Sequence, residues 1–227
     1  MNIISDVKVY GFDESVKASK YPMSTDITRL NQLVTPTVTK LAQSKMGEGH
    51  DNWLNGVVVQ FDLTLTVKAW TEAERYHFLD FVSSQSTMHR ITKFDLDKAY
   101  IEYVDPRIVE IMKEKVAAYN DFVASVDTGL IPQCVDTQRE LNEQKKRMYL
   151  EILYSNPAGF RLTARMTTNY RQLKTIYKQR RAHRLPEWQA VCDWIETLPH
   201  SELIVGDEAA RPAAEKVELT PEGALFR

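Results

Sequence analysis

The run Val57-Val58-Val59-Gln60-Phe61-Asp62-Leu63-Thr64-Leu65-Thr66-Val67 is rich in β-branched residues and alternates apolar with polar side chains through its second half. Such side chains fit a pleated, partly buried surface, and the alternation sends every second one to the same face. The chain therefore contains a sheet. Shorter runs, Ile3 to Phe12 and Phe160 to Met166, read as two further strands.

Helical periodicity fills much of the rest. Arg107 to Val126 places Ile108, Ile111, Met112, Val116 and Phe122 on one expected buried face, with Pro106 at the start, where a missing N–H costs least. Asp136 to Tyr154 repeats Leu141, Met148 and Ile152 and is closed by Asn156-Pro157-Ala158-Gly159. Asn169 to about His183 follows as a helix, and Pro186 opens another whose apolar stripe is Trp188, Val191, Cys192 and Ile195. Trp70 to Val82 reads as a helix begun by Thr71, with Glu74 three residues on completing a capping box. Between Thr28 and Lys45 the spacing is nearly helical, and Pro36 predicts a helix that is broken or starts late. Ser15 to Met23 is polar and ends in Tyr21-Pro22, which predicts a turn, and Gly47 to Asn52 is a loop by composition. The class is α/β or α+β, with one main domain over residues 1–204. The tail, 205–227, mixes Pro, Ala and Glu without a core pattern and is expected to be mobile or to reach a neighbouring subunit.

A length of 227 residues suits one sizeable core, and 43% hydrophobic with 26% charged residues excludes wholesale disorder and fibrous repeats. The formal net charge of -2 argues against a global electrostatic grip on nucleic acid. Cys134 and Cys192 have no metal-binding spacing. The first ten residues lack a signal-peptide pattern, and no window approaches the roughly 20 apolar residues of a membrane span, so a reducing cytoplasm is the expected setting.

Two regions carry candidate chemistry. In the first, Ser83-Ser84-Gln85-Ser86-Thr87-Met88-His89-Arg90 crowds hydrogen-bonding side chains together: Gln85 suits a base edge, and His89 and Arg90 suit carbonyl or phosphate oxygens. A serine-capped helix end complemented by His89 and Arg90 explains the same residues without a ligand. In the second, Arg171, Lys174, Lys178 and Arg181 share one side of a helix, while Leu173, Ile176, Tyr177 and Arg180 share another. Arg180 then points inward and needs an anionic or carbonyl partner, either a ligand or a structural carboxylate. Nucleic-acid binding by the basic stretch, with Tyr170 and Tyr177 stacking, is a third reading.

The run Asn156 to Thr163, followed by Thr168-Asn169-Tyr170-Arg171-Gln172-Leu173 and then Arg180, resembles the C-terminal half of the flavin-dependent thymidylate synthases. Upstream, Gly49-His50, the strand ending near Lys68-Ala69, and Gln85 before His89-Arg90 occur in the order of that family's histidine loop, strand and Arg-His-Arg signature. The resemblance spans roughly Gly47 to Ile195. It implies a sheet, antiparallel or mixed, flanked by helices, and a homotetramer with shared active sites. It implies reductive methylation of deoxyuridine monophosphate, with FAD as cofactor and methylenetetrahydrofolate and NADPH as co-substrates. Residue by residue, it places His50, His89, Arg90, Asn169 and Ser19 at the cofactor. It assigns Gln85, Ser86, Lys98, Arg171 and Arg180 to the pyrimidine nucleotide, with Arg180 also activating the base.

The departures fall on the nucleotide side. Met88 stands in place of the signature's first arginine, Lys98 in place of its closing serine, and Leu153 in place of a nucleotide-binding arginine. They leave room for a different pyrimidine nucleotide as substrate, or for a nucleotide-binding protein that has lost catalysis. No protein nucleophile is needed in the family's chemistry, so Cys134 and Cys192 are expected to be structural.

Overall fold

Two extended runs that bury alternate side chains, Val58–Thr66 and Arg161–Asn169, lie side by side at the centre of a four-stranded sheet. The computed structural model describes residues 3–45, 47–128 and 135–206. In chain order the elements are β1 (Ile4–Tyr10), α1 (Phe12–Ala18), α2 (Pro36–Ala42), β2 (Val58–Thr66), α3 (Val67–Ala73), β3 (Asp80–Ser84), α4 (Thr87–Arg90), α5 (Pro106–Asp127), α6 (Val135–Ser155), β4 (Arg161–Asn169), α7 (Tyr170–Arg180), α8 (Pro186–Glu196) and α9 (Glu202–Val205). The sheet order is β1-β2-β4-β3, so the strand expected from the Val57 run is interior. Cys134 and most of the expected tail, 207–227, lie outside the described residues.

The described residues group into two compact units. The first, from Met1–Val9 and Val59–Thr168, centres on Phe160, which is fully buried and meets Phe94 and Tyr100 edge-on at ring separations of 5.1 and 5.3 Å. Met112 and Val116 of α5 and Ile152 of α6 close the same cluster. Burying a side chain of this size contributes about 1.5 to 3 kcal/mol. The seam on α5 runs through Val109, Met112, Val116 and Tyr119, which turns Ile108 and Ile111 to its flank. Both were expected inside, and both are exposed.

The helix expected from Trp70 to Val82 is two elements. Thr66 caps α3, its hydroxyl accepting from the Ala69 N–H at 3.1 Å, while Thr71 donates back to the Lys68 carbonyl at 2.7 Å instead of opening a capping box. After Ala73, Phe78 turns the chain with a left-handed φ of 61°, and Asp80–Ser84 pairs antiparallel with β4, with a bulge between Phe81 and Ser83. Pairing with a segment 80 residues away is non-local, and every side chain of β3 is exposed, so no buried face marks it in the sequence.

The second unit, from Tyr10–Val58 and Asn169–Arg227, packs α7 against α8, α9 and the 3-10 turn Asn52–Gly56. Its first helix, α1, occupies residues expected to form a turn. Gly11 makes this possible: it caps α1 in the left-handed region at φ 70°, and a Cβ there would sit 2.6 Å from the Gly56 carbonyl oxygen. The helix then buries Ser15 and Val16. The late-starting helix is present as α2, with Thr35 capping and Pro36 in its first turn. Among the described residues, no helix is long and apolar enough to cross a membrane.

Candidate functional site

The start of α7 carries a buried charge network. Asn169 caps the helix, its side-chain oxygen accepting from the Gln172 N–H at 2.9 Å. Two residues on, the Nε of Arg171 donates to Asp51 Oδ1 at 3.1 Å. One turn further, Lys174 Nζ donates to Asp51 Oδ2 at 2.8 Å and to the carbonyls of Ala42 and Ser44 at 2.6 and 2.8 Å. An ammonium has three N–H groups, and all three are used. Asp51 is 1% exposed and Lys174 2%, whereas the Arg171 side chain keeps 36% of its surface. The first turn of α7 holds no acidic residue, and the carboxylate that meets its cations is brought in by the loop at Asp51.

His50, exposed, precedes Asp51 in the chain. The network also corrects the expected basic face. Lys174 was grouped with the solvent-facing cations, yet Tyr170, Leu173 and Tyr177 are buried around it and carry it inward. Two buried polar atoms among the described residues have no partner, Ser44 Oγ and Trp53 Nε1, and they fall on either side of this loop.

Arg180 stands at the far end of α7, about 13 Å along the axis from Arg171 at 1.5 Å per residue. Its guanidinium carbon lies 4.7 Å from the centre of the buried Trp188 ring, a cation–π contact. Its neighbour Arg181 pairs with Asp193 at 2.5 Å and Glu196 at 3.3 Å. Tyr177 donates its hydroxyl to the same Glu196 at 2.7 Å, and burial pushes its pKa above the ordinary tyrosine value. Ser19 is buried, with its hydroxyl donating to the Val16 carbonyl at 2.7 Å, which closes α1.

The remaining predicted residues belong to the first unit. Gln85 extends the sheet past β3: its N–H donates to the Thr163 carbonyl at 3.0 Å, and its side-chain oxygen accepts from the Thr163 N–H at 2.9 Å. Ser86 is the N-cap of α4 without a side-chain cap bond, and His89 and Arg90 fill the helix's exposed last turn. Tyr149 of α6 anchors that turn by donating to the Met88 carbonyl at 2.9 Å; burial raises its pKa and the Arg90 charge draws it back. Lys98 is held by Asp95 at 2.7 Å, a hydrogen bond that raises its pKa. Of the departures, Met88 is exposed and Leu153 packs against the apolar cluster. In the same unit, Glu74 and the run Tyr76 to Phe81 line a cleft of about 510 Å³. Phe78 projects there, 65% exposed, its carbonyl accepting from Thr168 Oγ1 at 2.7 Å.

Asp51 and Lys174 are the members of the α7 network that sequence reasoning missed. The alternation of Tyr170, Lys174 and Tyr177 at helical steps was the available signal, since a cation between two buried aromatics shares their face.

No protein-family model matches the chain, and no curated protein matches it. Solved structures do. The crystal structure of flavin-dependent thymidylate synthase ThyX from Helicobacter pylori, complexed with FAD and dUMP, aligns over 88% of this chain and 98% of that one, at a TM-score of 0.58 and 13% identity. A second structure of thymidylate synthase X from the same organism, also with FAD and dUMP, covers 91% of this chain and 99% of its own at a TM-score of 0.60 and 12% identity. Likeness at this identity is one of fold: the chain has a ThyX-like mixed α/β fold.

Proposed function

We propose that the chain binds FAD and a pyrimidine deoxynucleotide and methylates the latter, converting dUMP to dTMP or carrying out a closely related modification, with methylenetetrahydrofolate and NADPH as co-substrates. The observation that carries this reading is the likeness of fold, across about nine-tenths of the chain, to two structures that hold FAD and dUMP.

The proposed cofactor contacts keep polar groups available for a ligand. His50, His89 and Arg90 are exposed, Asn169 keeps its side-chain amide N–H groups beyond the capping bond, and Ser44 Oγ and Trp53 Nε1 are buried polar atoms without a partner among the described residues. Ser19 does not fit, because its hydroxyl is turned into α1. His50, His89, Arg90 and Asn169 are the groups that would hold the cofactor, which supplies hydride when bound. Arg171 would bind an anionic group of the nucleotide as a charge-assisted donor. Arg180 would offset negative charge developing on the pyrimidine carbonyl, with the Trp188 ring restricting its guanidinium. Gln85, Ser86 and Lys98 would complete the nucleotide contacts, although Gln85 does so only with the amide half of its side chain that the sheet leaves over.

We further propose a homotetramer. Exposed Ile108, Ile111, Phe81, Val82 and Tyr154 support it, since large apolar side chains on one compact unit suit contact between subunits. A specific observation favours a second reading, a nucleotide-binding protein of this fold without catalysis: Leu153 fills the apolar cluster where a cation was expected, and Lys98 is already paired.

Purified protein that is yellow, binds dUMP and turns it over with reduced flavin supports the enzyme. Colourless protein that still binds dUMP supports the second reading. Arg180→Ala is expected to lower turnover about a hundredfold or more, with a stability loss of about 0.5 to 2 kcal/mol from the Trp188 contact that it also removes. Unaltered turnover would place Arg180 in a purely structural contact.

A further inference from the structure

Within hydrogen-bond reach, the network at the start of α7 holds two cations, Arg171 and Lys174, and one carboxylate, Asp51. Lys174 neutralises Asp51 and spends its remaining N–H groups on the Ala42 and Ser44 carbonyls, so nothing on it is left for a ligand. Arg171 differs. Its Nε is bound to Asp51, but neither terminal amino group has another protein partner among the described residues, and neither is among the buried atoms lacking one. The guanidinium is therefore fastened through Nε, its side chain keeps 36% of its surface, and the cluster of two cations and one carboxylate carries a surplus positive charge.

A guanidinium free to rotate loses side-chain entropy whenever it binds, whereas one already held loses little. The holding group is itself immobile. Asp51 is 1% exposed and its second oxygen is locked by Lys174, which grips the end of α2 through two backbone carbonyls. We propose that Asp51 is a positioning residue, mounted on Lys174, that presets the Arg171 guanidinium as a receptor for the oxyanion group of a ligand. The proposal rests on the reading above that Arg171 contacts the nucleotide; it adds the device that aims it.

Positioning and simple charge balance predict opposite results. Asp51→Asn removes a negative charge and makes the cluster more cationic, so charge alone would tighten anion binding. Loss of aim would weaken it. The test is calorimetric titration of the full chain with dUMP and, separately, with inorganic phosphate. Arg171→Ala is expected to weaken both at least tenfold, and Asp51→Asn to weaken both by a similar factor. Unchanged binding by Arg171→Ala would overturn the reading of Arg171 as a ligand contact. Loss with Arg171→Ala but equal or tighter binding with Asp51→Asn would overturn the positioning role alone. The wild-type protein supplies a check that needs no variant. The Arg171 Nε–H proton is expected to exchange slowly in nitrogen-15 spectra before any ligand is added, and phosphate should shift the terminal amino resonances while leaving Nε in place. Exchange as fast as that of free arginine would overturn the preset mount.

Discussion

Lys174→Met isolates what the buried network contributes to stability. Methionine keeps a stem of similar length, so the change removes the ammonium and its three hydrogen bonds while most apolar contact remains. What stays behind is costly. The carbonyls of Ala42 and Ser44 each lose a buried donor, and Asp51, 1% exposed, retains only Arg171 among the described residues. Breaking a buried pair from one side costs about 3 to 5 kcal/mol, against a net stability of about 5 to 15 kcal/mol for a typical domain. For a chain of this length that corresponds to a melting temperature lower by about 6 to 20 °C. Urea denaturation followed by tryptophan fluorescence should show a lower midpoint with an unchanged slope. The double variant Lys174→Met with Asp51→Asn should be less destabilised than the sum of the two single changes, because the second removes the charge that the first leaves unpaired. A loss under about 1 kcal/mol for Lys174→Met, or strict additivity in the cycle, would refute the claim that Lys174 and Asp51 act as one buried unit.

Three further outcomes are expected. Asn169→Ala should cost about 0.5 to 2 kcal/mol in the same denaturation assay, since it removes the cap of α7. Gly159→Ala should cost about 1 to 3 kcal/mol, because the new Cβ would lie 2.3 Å from Val104 Cγ2 and 3.2 Å from Ile101 Cγ2, and β-branched side chains have little room to yield. Burial pushes the Cys192 thiol from its ordinary 9.0 up to about 12. The unfolded thiol releases its proton from pH 9 upward while the folded one keeps it, so this stability is complete below pH 9 and is lost as pH rises toward 12, by up to about 1.4 kcal/mol per pH unit. Melting curves between pH 8 and 11 should therefore fall less steeply for Cys192→Ala than for the wild type.

The elements legible in the sequence are those whose evidence is local. The alternation from Val57 to Val67 requires β2 because period 2 with β-branched residues buries one face of a strand and little else. Pro106 and the Met112-Val116 spacing mark α5, and Asn169 before the basic stretch marks the start of α7 through its capping chemistry. Where an element depends on a distant partner, the same rules misread it. Asp80 to Ser84 is a strand only because β4 offers it an edge, and Phe12 to Ala18 starts from Gly11, whose left-handed turn lies against the Gly56 backbone with no room for a Cβ. The site divides the same way. Arg171 and Asn169 were visible as residues of a helix start, but the carboxylate that holds Arg171 lies 120 positions upstream in a loop with no periodicity. Local side-chain pattern reports which face of an element is buried; which charge meets which is decided by chain reversals that bring remote segments within a few ångströms, and no spacing rule encodes them.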